Sequence, residues 1–274
     1  MLSIRKITEK YEKAHHRIQK GMYFSDFIET PNYKLCYSDT VLINDWNYVT
    51  FVNPLKSNIP LIINKIVTEF HNINREPTIY LTPSSSQEVE QHLLCNDKWK
   101  IKFIDSWLIF NQKKINKGNL DLDFVLVKND SPTNIEMFIN CFINCYGGPV
   151  SKDNPYGGLP GYFFTAFRNS FKNISMEKMF NLIGFFNNKC VGIGTIIVYK
   201  DYAGIYNMGT IPEMRNKGVC RAITYELIRY AKKRKVKNIF LLTEIDGGPE
   251  KVYTNLGFKR TFIGKGYIKN ELGV

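Results

Sequence analysis

The chain has 274 residues, 44% hydrophobic and 23% charged, which fits one large globular domain or two of ordinary size and excludes disorder throughout. Lys and Arg number 37 against 25 Asp and Glu, and the formal net charge of +12 favours anionic partners: nucleic acid, an anionic membrane surface or a phosphorylated small molecule. The opening residues MLSIRKITEKYEK hold no apolar signal stretch, and the longest apolar run, Cys190 to Tyr199, is far short of the ~20 residues a membrane helix needs, so a cytoplasmic protein without membrane contact is expected.

In the first half, His15 and His16 fall in a polar, charged helix and are expected to be exposed. Tyr48 to Val52 reads as a strand stopped by Pro54, Leu61 to Phe70 as a helix and Thr78 to Thr82 as a strand. Ser86 to Cys95 is a helix with a capping pattern at Ser84 and Gln87, and Lys100 to Phe110 is strand material. The polar stretch Asn111 to Asp123 has no hydrophobic period and reads as a linker, giving domains at 1–115 and 120–274.

In the second half, Phe124 to Lys128 is a strand and Pro132 to Cys145 a helix. Tyr146 to Gly161 is a loop rich in Gly and Pro, and the stretch from Cys145 to Tyr162 is a candidate rim or lid of a cleft. A helix over Tyr162 to Ile174 precedes strands Asn181 to Phe186 and Cys190 to Tyr199, joined at Asn187-Asn188-Lys189. Gly192 and Gly194 read as small residues under a close neighbour, because the third glycine and following helix of a dinucleotide fingerprint are missing. Ala203 to Ile211 is a strand and Lys217 to Arg234 a helix with apolar Val219, Ala222, Ile223, Leu227, Ile228 and Ala231. The basic run Arg229 to Lys237 reads as a solvated helix end that complements the negative dipole, with an anion-binding patch as the alternative. Asn238 to Glu244 is a strand, Glu250 to Asn255 a short helix closed by Gly257, and Phe258 to Ile268 a final strand or strand pair. The halves follow a similar order at a shift of about 158–160 residues, with Pro54 on Pro212 and Trp99 on Phe258, a spacing that suggests tandem domains.

Six cysteines occur without a CxxC pair, and Cys141 and Cys145 have no His nearby, so no metal is expected and the cysteines read as small core residues in a reducing compartment. Basic residues are not interleaved with aromatics in a run, so nucleic acid is not expected either.

Chemistry concentrates in Thr210-Ile211-Pro212-Glu213-Met214-Arg215-Asn216-Lys217-Gly218-Val219-Cys220-Arg221. A strand ends, Pro212 blocks further pairing, and a glycine-containing turn opens a long helix. The first helical turn offers unpaired N–H groups and a positive dipole end, which together bind anions. Gly218 removes a side chain where a diphosphate could approach, and Arg215, Lys217 and Arg221 add charge. The Walker pattern is absent, so a nucleotide triphosphatase is not indicated.

The run P-E-M-R-N-K-G-V-C resembles the R/Q-x-x-G-x-G/A cofactor motif of the GNAT N-acyltransferases, and Val252-Tyr253-Thr254-Asn255-Leu256-Gly257-Phe258 is similar to that family's L-Y-x-x-x-G-F segment. The resemblance covers roughly residues 122 to 270. It implies a mixed α/β (α+β) GNAT fold, a mostly antiparallel twisted sheet flanked by helices, with a catalytic domain after a degenerate GNAT-like one that lacks the motif: Ser57 and Pro60 stand at the positions of Arg215 and Gly218, and Leu94 near that of Tyr253. It implies acetyl transfer from acetyl-CoA to a small-molecule or peptide amine by direct attack in a ternary complex, in a monomer or homodimer. Backbone amides from Asn216 through Lys217, Gly218, Val219 and Cys220 to Arg221 would hold the diphosphate, with Arg215 opening the loop. Met208, Gly209 and Thr210 would pair with the pantetheine arm as their strand splays from its neighbour, and Tyr253 would protonate the leaving thiolate. The family's asparagine seven residues before that tyrosine is Asp246 here, and Gly247-Gly248-Pro249 replaces the usual helical start. Cys220 stands at the motif's last small position, so its side chain must turn from the phosphates. No acid lies on the strand Ala203 to Thr210; Glu244 and Asp246 are the nearest candidates for the general base, beside the plainer reading of Glu244 as an exposed strand end and of Tyr253 as a core aromatic. The alternative is a catalytically silent acyl-CoA-binding or regulatory module that keeps the fold.

Overall fold

The computed structural model describes residues 3–54, 58–112, 115, 117–151, 154 and 157–269. Ser57 and positions 113, 114 and 116 of the expected linker lie outside the described residues. In chain order the first elements are α1 (Ile4–Gln19), β1 (Asp26–Glu29), β2 (Lys34–Tyr37), β3 (Tyr48–Thr50), α2 (Ile59–Asn72), β4 (Thr78–Leu81), α3 (Gln87–Leu94) and β5 (Trp99–Phe110). There follow β6 (Asp123–Val127), α4 (Pro132–Tyr146), α5 (Gly161–Asn173), β7 (Met179–Phe186), β8 (Lys189–Tyr199), β9 (Tyr202–Thr210), α6 (Val219–Lys233), β10 (Asn238–Glu244), α7 (Gly248–Asn255) and β11 (Phe258–Lys269).

The chain forms two compact units, and neither is contiguous. One takes the chain up to Trp107, Leu242–Gly247 and the segment from Arg260; the other takes Leu108–Leu241 and Gly248–Lys259. This division differs from a cut between residues 115 and 120, because β11, continuous from Phe258 rather than a strand pair, hydrogen-bonds to β4 in the first unit.

The first unit's sheet has the order β1-β2-β3-β4-β11-β5, with β3 and β4 parallel at Val49 and Ile79 and β11 antiparallel to β4. Its core sets Ile62, Ile66 and Phe70 of α2 and Val89 and Leu93 of α3 against Leu35, Val49, Ile79 and Tyr267. Burying such side chains is worth about 1.5–3 kcal/mol each, which stabilises the helices more than their propensities do. The structure departs from the sequence expectation at three places in this unit. His15 and His16 are buried, 3% and 1% exposed, because this face of α1 lies among Phe24, Trp46, Tyr48 and Trp107. The helix α3 starts after Ser86 without a side-chain cap, because the Ser84 hydroxyl donates to Glu12 instead. Cys95 is exposed rather than a core residue, since it ends α3.

Glu12 is buried on α1 and accepts from Thr50 Oγ1 and Thr82 Oγ1, both at 2.9 Å, and from Ser84. It therefore links α1 to the ends of β3 and β4. Burial pushes its carboxyl up to about 7, against the three hydroxyls, which favour the charged form.

The second unit's sheet has the order β10-β9-β8-β7-β6, antiparallel except for β9 with β10. Asn187 and Asn188, at φ +49° and +60°, make the tight turn joining β7 to β8. The helix α6 approaches one face so closely that a Cβ on Gly192 would stand 2.7 Å from Val219 Cγ1, and one on Gly194 would stand 2.7 Å from Ile223 Cγ2. This is the close packing expected of those glycines. Alternate strand residues face the other side, where Gly209 lies under Cys145 of α4. Phe138 of α4 stacks on Phe167 of α5, with ring centroids 4.7 Å apart. Both units run through the same succession, an antiparallel strand pair, a helical crossover to a parallel strand, then a short helix: β2-β3-α2-β4-α3 and β8-β9-α6-β10-α7.

Candidate functional site

The pairing of β9 with β10 covers Tyr202 to Gly204 against Asn238 to Phe240, although β9 runs on to Thr210. From Ile205 onward the β9 register lies with β8: Tyr206 opposite Thr195, Gly209 opposite Ile193 and Thr210 opposite Gly192. A bulge sits in this stretch, with Asn207 at φ +51°. Asn207 Nδ2 donates to Thr195 Oγ1 at 3.3 Å, and Thr195 Oγ1 donates to Asn181 Oδ1 at 2.7 Å, a buried chain that holds the bulge. Met208 to Thr210 thus lie beyond the stretch of β9 paired with β10 and keep their ladder with β8.

A cavity of about 760 Å³ opens beside this segment, lined by Met208 and Thr210, by Arg215, Asn216, Gly218, Val219, Cys220 and Arg221, and by Tyr253. Gly218 stands before the first residue of α6 with φ +91°, and Asn216 has φ +62°. Left-handed backbone at both positions turns the chain sharply into the helix, and only Gly adopts the first without strain. The first bond of the helix runs from the Ala222 N–H to the Gly218 carbonyl at 3.0 Å. The N–H groups of Val219, Cys220 and Arg221 precede it and so have no intrahelical acceptor. Together with the dipole they form an anion-binding end whose floor carries no side chain at Gly218.

The Arg215 guanidinium does not reach outward. Its Nη2 donates to the Cys145 carbonyl and to Asn154 Oδ1, both at 2.9 Å, and its Nε donates to the Thr210 carbonyl at 3.4 Å. It fastens the end of α4, the following loop and the end of β9 to one another. Cys220 turns its thiol toward α7: Sγ lies 3.9 Å from the Tyr253 hydroxyl and 4.0 Å from Thr224 Oγ1. Burial pushes that thiol up, and it pushes the Tyr253 phenol well above its ordinary value. Tyr253 is 6% exposed, so the core aromatic and the cavity-lining tyrosine are one residue.

Four expected residues do not line this cavity. Gly209 faces Cys145, and Lys217 lines a neighbouring pocket. Glu244 ends β10 in the first unit and is exposed, as its plainer reading held. Asp246 is also in the first unit, at φ +58°, and pairs with Arg260 Nη2 at 2.5 Å. Cys145 and Tyr146, at the start of the stretch read as a cleft rim, line the cavity, but the bond from the Tyr146 hydroxyl to the Met208 carbonyl was not foreseen, nor were Pro249, Val252 and Asn255 as lining residues. The signal available for Tyr146 was its place at the junction of a periodic helix and the Gly- and Pro-rich loop. Among the described residues no group of His, Cys, Asp and Glu could hold a metal, and no helix is long and apolar enough to cross a membrane.

Residues 151–258 match the sequence model of the acetyltransferase (GNAT) family. No curated protein matches the sequence. Among solved structures, a GCN5-related N-acetyltransferase from Kribbella flavida is similar over 98% of this chain and 96% of its own, at 12% identity and a TM-score of 0.67. A GCN5-related N-acetyltransferase from Sphaerobacter thermophilus matches 87% of this chain and 80% of its own, at 12% identity and a TM-score of 0.61. A tandem GNAT protein from the clavulanic acid biosynthesis pathway matches 86% and 77%, at 10% identity and a TM-score of 0.60. At these identities the likeness is one of fold, and it extends along nearly the whole chain. This protein thus shares its fold with GNAT N-acetyltransferases along nearly the whole chain, and its residues 151–258 match the GNAT acetyltransferase family.

Proposed function

We propose that the second unit binds acetyl-CoA at the start of α6 and transfers its acetyl group to an amine of a small molecule or peptide. One observation carries this reading: the anion-binding first turn of α6, the β9 segment unpaired from β10, and Tyr253 all face one cavity of about 760 Å³. The residues suit the cofactor, since the nearest atom to a Cβ built on Gly218 would be Leu120 Cβ at 3.7 Å, leaving the approach to the helix end open.

When bound, acetyl-CoA supplies the acyl group as a thioester. The N–H groups of Val219 to Arg221 hold its diphosphate, and the backbone of Met208 to Thr210 aligns its pantetheine arm. In the transfer the acceptor nitrogen bonds to the acyl carbon as the carbon–sulfur bond breaks. Tyr253 gives its phenolic proton to the departing sulfur, and the nitrogen loses one proton to a base, so protons balance. The first unit, in this reading, binds no CoA: α2 opens with Ile59-Pro60, and Pro60 has no N–H to offer an anion.

Calorimetric titration with acetyl-CoA tests the binding, and thiol release across a panel of amines tests the transfer. Saturable binding with thiol release is expected. Absence of binding at high micromolar acetyl-CoA overturns the assignment, and binding without transfer to any amine leaves the silent module.

A further inference from the structure

A second, smaller cavity of about 350 Å³ adjoins the first and shares Gly218 and Arg221 with it. Its remaining walls are Lys117, Gly118, Asn119 and Leu120, from the stretch that reads as a linker, and Lys217. Three cations therefore surround it. Lys117 Nζ pairs with Asp121 Oδ1 at 2.6 Å, and this partner holds the Lys117 ammonium above its ordinary value. Asp121 itself is 89% exposed and does not line the cavity, so the walls carry net positive charge. Gly118 has φ +81°, and a Cβ there would stand 2.7 Å from Arg221 Cδ; a residue without a side chain lets Arg221 lie across the linker between the two cavities.

CoA carries, besides its diphosphate, a phosphomonoester on the 3′ position of its ribose, close to doubly charged at neutral pH. With the diphosphate on the first turn of α6 and the acyl end beside Tyr253, the ribose leaves on the side away from Tyr253. The cavity sharing Gly218 and Arg221 is the basic one, and Tyr253 does not line it.

We propose that Lys117, Lys217 and Arg221 form a phosphomonoester subsite that selects CoA over 3′-dephospho-CoA. The proposal rests on the acetyl-CoA reading above and adds to it a role for the linker: a strand-joining segment supplies a cofactor contact.

Calorimetry with CoA and with 3′-dephospho-CoA, on the whole chain and on the double variant Lys117→Gln/Lys217→Gln, tests it. Wild type should bind CoA about tenfold more tightly, which at about 1.4 kcal/mol is the scale of one or two charge-assisted contacts. The double variant should lose most of that preference while its affinity for 3′-dephospho-CoA stays within twofold. Equal wild-type affinities for the two ligands overturn the subsite, as does an equal weakening of both in the variant. If wild type binds 3′-dephospho-CoA and CoA alike, the cofactor reading survives without the subsite; if it binds neither, both fall. The lysines lie on the surface, and a thermal midpoint matching wild type confirms that the variant is folded.

Discussion

Gly218 and Tyr253 answer different questions about the same cavity. At φ +91° any side chain costs about 1–2 kcal/mol in backbone strain, although space for one exists. Gly218→Glu would add a carboxylate to an end built for anions. It should abolish acetyl-CoA binding in calorimetry while the thermal midpoint falls by only a few degrees; retained affinity would mean the diphosphate lies elsewhere. The phenol of Tyr253 lines the cavity beside Cys220 and burial keeps it protonated, the state from which a general acid starts. Tyr253→Phe keeps the packing against Phe258 and removes the hydroxyl. A loss of kcat of about 10²-fold with acetyl-CoA affinity unchanged is expected, which is the usual size of a general-acid contribution. Unchanged kcat would leave Tyr253 as a wall of the cavity.

The elements that periodicity reveals are those that bury one face. The helices α2, α4, α5 and α6 were legible because apolar side chains recur along each at helical spacing, and β7 and β8 were legible from their runs and the Asn-Asn turn. The four-residue strands β1 and β2 escaped, being too short for a period to show. The burial of α1 was hidden because its inner face carries Glu12, His15, His16 and Gln19, polar residues that a hydrophobic pattern assigns to water. In the site, Gly218, Val219 and Arg221 were legible from the motif, whereas the inward turn of Arg215 depends on the Cys145 carbonyl, 70 residues away in sequence.

The burial of α1 has a consequence for stability. The folded-state value of Glu12, about 7, lies above its ordinary 4.5, so the folded protein holds that proton more tightly. Its stabilising contribution is complete below about pH 4.5 and is lost as the pH rises through about 7. At 1.36 kcal/mol per unit the loss is about 3 kcal/mol. The carboxyl of Asp105, also pushed by burial to about 7, adds a slope of the same sign, and His15, lowered to about 3 by burial, adds one of opposite sign below its ordinary value. The informative quantity is therefore the difference between wild type and Glu12→Gln in urea unfolding at pH 5 and pH 8. The variant should lose less stability over that interval, and parallel losses would place the titration on another group.

At the scale of the whole chain, the C-terminal strand decides what folds with what. Sequence spacing suggests two similar halves, but it cannot show that β11 pairs with β4, because that register is set by contacts about 190 residues apart: Lys265 opposite Leu81, Tyr267 opposite Ile79. Tyr267 is 1% exposed in the first unit's core, and its hydroxyl and the Lys265 ammonium both meet Glu90 Oε1, at 2.8 and 2.7 Å. A chain cut between residues 115 and 120 removes these contacts from the first half and leaves residues 260–269 of the second without their partner strand. Losing one buried aromatic costs about 3–5 kcal/mol, a large share of the 5–15 kcal/mol that holds a domain folded. Fragments 1–115 and 120–274 made separately should therefore lack the cooperative thermal transition of the whole protein and bind a dye that reports exposed apolar surface. A sharp transition in each fragment alone would show instead that the two halves fold independently and that the β4–β11 pairing is dispensable to both.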